Sequence, residues 1–305
     1  MNLFQSELWI LVSFAAAGFQ TVRFLLQKVL STALLTPTGA TFARFVYSAP
    51  IIVVAMAGYV KISGAQVEFP SVDFWAYAVM GGLAQVLATI CVVTLFKTRN
   101  FAVGITFKKT EVILSVAVGL ILLGEGVSLA AFGAIALGLV GVLLLSKPPD
   151  VAGWGLGQMW NKGVALGLSA GALFAVSAVS YRGASLEIAV ADPIVRAGVT
   201  LGAVTTMQMI GMGMWLWWQD RAQISAVWRV RRVAVWIGLL SLGGSFCWFL
   251  AFTLQTAAYV KAVGQVELVL SLLVSILFFS ERVSWRELTG IAVLCGSIVL
   301  LILVT

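Results

Sequence analysis

The chain has 305 residues, of which 61% are hydrophobic and only 10% charged, and its mean hydropathy is +1.05. So much apolar surface has no place in a soluble core, and the sequence reads as an all-α polytopic membrane protein. Histidine is absent, which removes the commonest general base, zinc ligand and proton relay together. The net charge of +7 does not point to nucleic acid, because the basic residues sit at span ends and inside spans and form no solvated stripe.

In chain order, the apolar runs predict ten spans near 7–30, 37–59, 72–97, 100–123, 127–146, 163–186, 191–218, 232–256, 258–280 and 284–304. Met1 to Ser6 carries no basic run, and the apolar stretch after Leu8 is as long as a full span, so the first helix is expected to be retained. The polar segment from Lys147-Pro148-Pro149-Asp150 to Asn161-Lys162 divides the chain into a first five-helix unit (1–146), a linker (147–162) and a second five-helix unit (163–305). Cys91, Cys247 and Cys295 lie in apolar runs, where packing is a better use for them than a disulfide.

The two units are related. At a constant offset from 111 to 267, Gly82 matches Gly238, Cys91 matches Cys247, Phe96 matches Phe252, Glu111 matches Glu267 and Ser115 matches Ser271. Arg23 with Arg182 and Arg44 with Arg196 align only at other offsets. An odd number of helices per unit forces the second copy to cross the membrane in the opposite sense, and the loop charges agree. Lys61 alone follows span two, whereas Arg221, Arg229, Arg231 and Arg232 follow span seven. Lys97 and Arg99 follow span three, and no basic residue follows span eight. The expected architecture is therefore ten transmembrane helices in two inverted repeats, with both termini outside by the positive-inside rule.

An ionisable group inside a span costs at least about 2.5–3.5 kcal/mol, so it normally faces a cavity or a partner. Lys108, Glu111 and Ser115 fall at helical spacing on span four, with Lys109 beside them. Glu267 and Ser271 do the same on span nine, with Lys261 and Gln265 on a neighbouring strip. These residues, with Arg23, Trp248 and Tyr259, are the candidate substrate-binding set. The glutamates would serve as proton-coupling groups or ligands of a substrate amine, and the lysines as anion partners. The same charges also fit buried Lys–Glu pairs that fix helix packing. Glu125 and Glu281, each just before Val-Ser, suit architectural roles at helix starts. Arg44 and Arg196, near the starts of their spans, suit snorkelling or carbonyl capping. Gly163, Gly167 and Gly171 form a small-residue stripe on span six for close helix contact.

Leu123-Gly124-Glu125-Gly126-Val127-Ser128 and Phe279-Ser280-Glu281-Arg282-Val283-Ser284, each closing a span before a glycine-containing helix, together with Arg44 and Arg196, resemble the drug/metabolite transporter superfamily in its EamA-type branch. The resemblance covers nearly the whole chain. It implies alternating access by a ten-helix carrier that exports or exchanges small metabolites, with no cofactor. Two departures stand out: glutamates lie where members often carry a proline or small residue at the fourth and ninth helices, and members are commonly drawn with cytoplasmic termini.

The expected function is a secondary transporter of a small polar or zwitterionic metabolite such as an amino acid or amine, driven by protons or counter-substrate. It would act in a bacterial cytoplasmic (inner) membrane, as a monomer or homodimer. A flippase for a lipid-linked head group is the alternative. A membrane-embedded enzyme finds no histidine, metal cluster or nucleophile–base pair to support it. A reporter that is active only outside the cytoplasm should be active when fused after Thr305; activity there of a cytoplasm-only reporter would reverse the orientation.

Overall fold

The computed structural model describes residues 3–33, 35–95, 107–145, 162–279 and 284–305. Among them every regular element is helical: α1 (Leu3–Ala33), α2 (Pro37–Ser63), α3 (Val72–Leu95), α4 (Glu111–Leu123), α5 (Leu129–Leu145), α6 (Lys162–Leu186), α7 (Pro193–Gln219), α8 (Arg221–Arg229), α9 (Arg231–Leu254), α10 (Ala257–Val263), α11 (Val266–Phe279) and α12 (Trp285–Val304). Six of these, α2, α3, α6, α7, α9 and α12, are long and apolar enough to cross a membrane, and α4 and α5 are shorter apolar helices. Large apolar side chains face outward along the bundle, among them Leu83, Ile121, Ile210 and Leu303, as a hydrocarbon solvent requires. The protein is an integral, multi-pass membrane protein.

Local chemistry sets the helix ends. Thr36 caps α2 by accepting from the Gly39 amide at 3.1 Å, and Asp192 caps α7 by accepting from the Ile194 amide at 2.8 Å; in both helices proline occupies the first turn. Counted from these prolines, Arg44 lies seven residues into α2 and Arg196 three into α7, so the two arginines occupy different turns. At the end of α4, Gly124 adopts φ +66; its amide donates to the Leu120 carbonyl at 3.2 Å and the Glu125 amide to the Gly119 carbonyl at 3.1 Å. Only glycine takes that left-handed conformation at no steric cost, which explains the glycine of the Leu-Gly-Glu stretch.

Two features depart from the sequence reading. The predicted span at 258–280 is two helices, α10 and α11, separated by a turn at Gly264 and Gln265, and a turn at Lys109 and Thr110 precedes α4, within one residue of the matching register. The segment after α7 is not a plain loop: α8 carries Arg221 stacked 4.4 Å from the Trp217 ring, and Arg231 lies 5.6 Å from Trp228. Arginine–tryptophan pairs on a short amphipathic helix suit a membrane interface. The linker, Glu281 and Arg282 lie outside the described residues, apart from Lys162 at the start of α6.

The packing is reciprocal. Helix α1 lies on α9 and α3 on α6, while α2 pairs with α7 and α5 with α12. Small residues allow the close approaches. A Cβ on Gly171 of α6 would stand 2.9 Å from the Lys108 carbonyl oxygen and 2.9 Å from Thr110 Oγ1, so this glycine is what lets α6 press on the turn before α4. Replacing it with leucine should lower stability by about 1–3 kcal/mol through overpacking, read as a lower Tm in detergent. Gly133→Leu, at a position with open space around its Cα, should leave Tm nearly unchanged.

Candidate substrate site

The interrupted segments bring charge to the middle of the bundle. Glu111 and Glu267 fall in the first turns of α4 and α11, where the helix dipole favours a carboxylate. Lys261 falls in the last turn of α10, where the dipole favours a cation. The carboxylates then meet lysines from both halves of the chain. Glu111 lies 3.5 Å from Lys108 and 3.8 Å from Lys261, and Glu267 lies 3.5 Å from Lys109. Lys109 and Lys261 thus each pair with a carboxylate of the other half. All five side chains are buried or nearly so, and such pairs are tolerated only where geometry and hydrogen bonds repay the loss of water.

A polar chain extends from this cluster. Gln20 on α1 donates to Glu267 at 2.6 Å and accepts from the Trp248 indole N–H at 3.1 Å. The Phe174 ring lies between two cations, 5.0 Å from Lys108 Nζ and 5.6 Å from Lys261 Nζ. Lys261 also lies 4.9 Å from the Trp248 ring, and Trp248 stacks on Phe252 at 5.7 Å. These aromatic faces supply negative quadrupole to ammonium groups that have little water around them.

Beside the cluster lies a narrow cleft. Gln20, Arg23, Arg44, Lys261, Trp248 and Phe252 line it, with Phe174, Gln85, Ser177, Tyr181 and Ser245 completing the wall. Arg44 donates from Nη2 to Ser245 Oγ at 3.0 Å, lies over the Phe45 ring and keeps a buried Nε with no hydrogen-bond partner. Arg23 is buried within electrostatic reach of Arg44 and Glu267. At the far wall, Gln208 bonds to Gln85 at 3.0 Å, and Tyr181 donates to the same Gln85 oxygen at 3.0 Å. A second, more apolar cleft of about 310 Å³ lies between α4, α5, α10 and α12, where Lys109 and Gln265 are its polar members together with Ser297.

The candidate set from the sequence therefore divides. Glu111, Glu267, Lys108, Lys109 and Lys261 converge; Arg23, Trp248 and Lys261 line the central cleft; Gln265 faces the second cleft with its buried Oε1 unpartnered. Ser115 is buried but bonds back to the Glu111 carbonyl at 2.6 Å, Tyr259 packs against the core, and the Ser271 side chain is outside the described residues. Arg44, expected near the helix end, lines the cleft instead, whereas Arg196 donates to the Ser185 carbonyl at 2.9 Å and caps the end of α6. Glu125 does not cap α5: Ser128 does, accepting from the Ala131 amide at 3.1 Å. The Glu125 carboxylate instead takes both of its contacts from Arg182 Nε at 2.7 and 2.8 Å.

Sequence reasoning missed Gln20, Phe174, the pairing of Arg182 with Glu125 and the Gln85–Tyr181–Gln208 network. Gln20, three residues before Arg23 in an apolar run, was a readable signal; Phe174 carried none.

A multi-pass helical bundle with paired charges and a polar cleft in its interior is an arrangement that membrane transport proteins use. Residues 161–303 match the model of the EamA-like transporter family, so the second part of the chain is similar to that family. No protein of curated function matches the chain. A solved crystal structure superposes with a TM-score of 0.68 over 96% of this chain and 94% of its own at 15% identity, a likeness of fold alone.

Arg182 also donates to the Phe252 carbonyl at 2.7 Å, so it ties α6 to the α4–α5 connection and to α9. Arg182→Met should cost about 1.5–3 kcal/mol, and the loss in Arg182→Met/Glu125→Leu should be smaller than the sum of the two single losses. A Tm for Arg182→Met equal to the parent's would show that the tie is not structural.

Proposed function

We propose that the protein is a secondary active transporter that exports or exchanges a small polar metabolite, working by alternating access around the central cleft. In this reading residues 1–146 and 163–305 are inverted five-helix repeats joined by 147–162. The reciprocal packing of α1 on α9 and α3 on α6 supports it, because an exchange of the two halves about an axis in the membrane plane relates those pairs. The observation that carries the proposal is the charge cluster itself. Two helices, one from each half, break within one residue of the same register beside a cleft and exchange ion pairs there. Irregular backbone and buried charge persist at membrane depth only where they are buried in protein or line a cavity.

Rocking of one half against the other would separate Lys109 from Glu267 and Lys261 from Glu111, leaving the carboxylates to protons or counter-substrate. The setting is a bacterial cytoplasmic membrane. In proteoliposomes, Glu111→Gln and Glu267→Gln should each abolish uptake of a metabolite that stabilises the parent, while both variants still elute as folded protein. Parent-like uptake in both variants would overturn the proposal.

A further inference from the structure

We infer that the central cleft binds a soluble organic anion, a carboxylate or phosphate carried on a flat apolar body. The inference rests on the cleft being the transported substrate's site and narrows its class. Five cations, Arg23, Arg44, Lys108, Lys109 and Lys261, surround two carboxylates, Glu111 and Glu267. Both carboxylates already lie against cations: Glu111 3.5–3.8 Å from two lysines, with its Oε2 still without a hydrogen bond, and Glu267 beside Lys109 and bonded to the Gln20 amide. Among the described residues the cleft wall carries Arg23, Arg44 and Lys261 and no carboxylate. Arg44 is 5% exposed and holds a buried Nε without an acceptor.

A substrate amine would add a cation to this surplus. An oxyanion would offset it and give Arg44 a charge-assisted acceptor of the planar geometry that guanidinium groups match. The stacked Trp248–Phe252 pair on the same wall offers an apolar face for a flat body. The glutamates are then the counter-ions that hold the lysines in place.

The test uses the purified full-length chain with benzoate, phenyl phosphate, benzamide, benzylamine, inorganic phosphate and dihexanoyl phosphatidic acid at saturating millimolar concentration, read as shifts in Tm. Benzoate or phenyl phosphate should raise Tm by about 2–4 °C, while benzamide and benzylamine should not. Arg44→Gln should weaken the effective probe at least about tenfold, Arg44→Lys should weaken it less, and the exposed Lys61→Gln should leave it unchanged. If Arg44→Gln fails to fold, Trp248→Leu, which should also weaken the aromatic anion, decides the siting.

Stabilisation by benzylamine equal to that by benzoate overturns the inference, as does the absence of a shift with either aromatic anion. A shift from inorganic phosphate equal to that from phenyl phosphate removes the flat body, and a shift confined to dihexanoyl phosphatidic acid moves the site to lipid. The transport reading fails separately: Arg44-dependent anion binding with no solute movement in proteoliposomes would keep the anion site and reject transport. Uptake of an amine that is indifferent to Arg44→Gln would keep transport and reject the anion.

Discussion

The structure depends on how Glu111 and Glu267 are kept charged inside an apolar bundle. Neither carboxylate is satisfied by its own half of the chain alone: Glu267 meets Lys109, and Glu111 meets Lys261 as well as its neighbour Lys108. Buried ion pairs of this kind contribute little net stability over an apolar core, but removing one partner leaves an uncompensated charge that is strongly destabilising. The pairs therefore specify which surfaces of the two halves come together more than they strengthen the contact. They are also the contacts that must be remade if the halves move.

The surrounding architecture follows from that constraint. Helices that ran unbroken through 107–123 and 257–279 would bury their amides within the helix, and the restarts at Glu111 and Val266 instead expose helix N-termini to the carboxylates. Gly171 lets α6 reach the first turn. Phe174 lies against Lys108 and Lys261, Trp248 and Phe252 lie against Lys261, and Gln20 links Glu267 to the Trp248 indole. The two halves are not identical at this point, since Gln265 stands where the first half has Lys109 and Gly264 where it has Lys108. That inequality leaves three lysines, Lys108, Lys109 and Lys261, beside the two carboxylates.

The membrane class, the division of charge and the pairing of Glu111 with Glu267 were legible because hydropathy and a gapless repeat leave few alternatives. The helix breaks were not, since Gly264-Gln265 and Lys109-Thr110 lie in apolar runs whose composition suits continuous helix. Arg44 was misread for a related reason. Sequence offset set it level with Arg196, but the proline starts of α2 and α7 put the two arginines on different turns, and only Arg44 reaches the cleft. Glu125 was read as a local cap because its neighbours are local, whereas its partner, Arg182, is 57 residues away and no short-range pattern announces such a contact.

A double-mutant cycle on Lys109 and Glu267, with Lys109→Met, Glu267→Gln and the combined variant unfolded in detergent, tests most directly whether this charge exchange joins the two halves. The account predicts that each single change costs about 3–5 kcal/mol and that the combined variant recovers a large part of that loss, as coupled buried charges do. Strictly additive losses would show that the two side chains do not act as a pair and would contradict it.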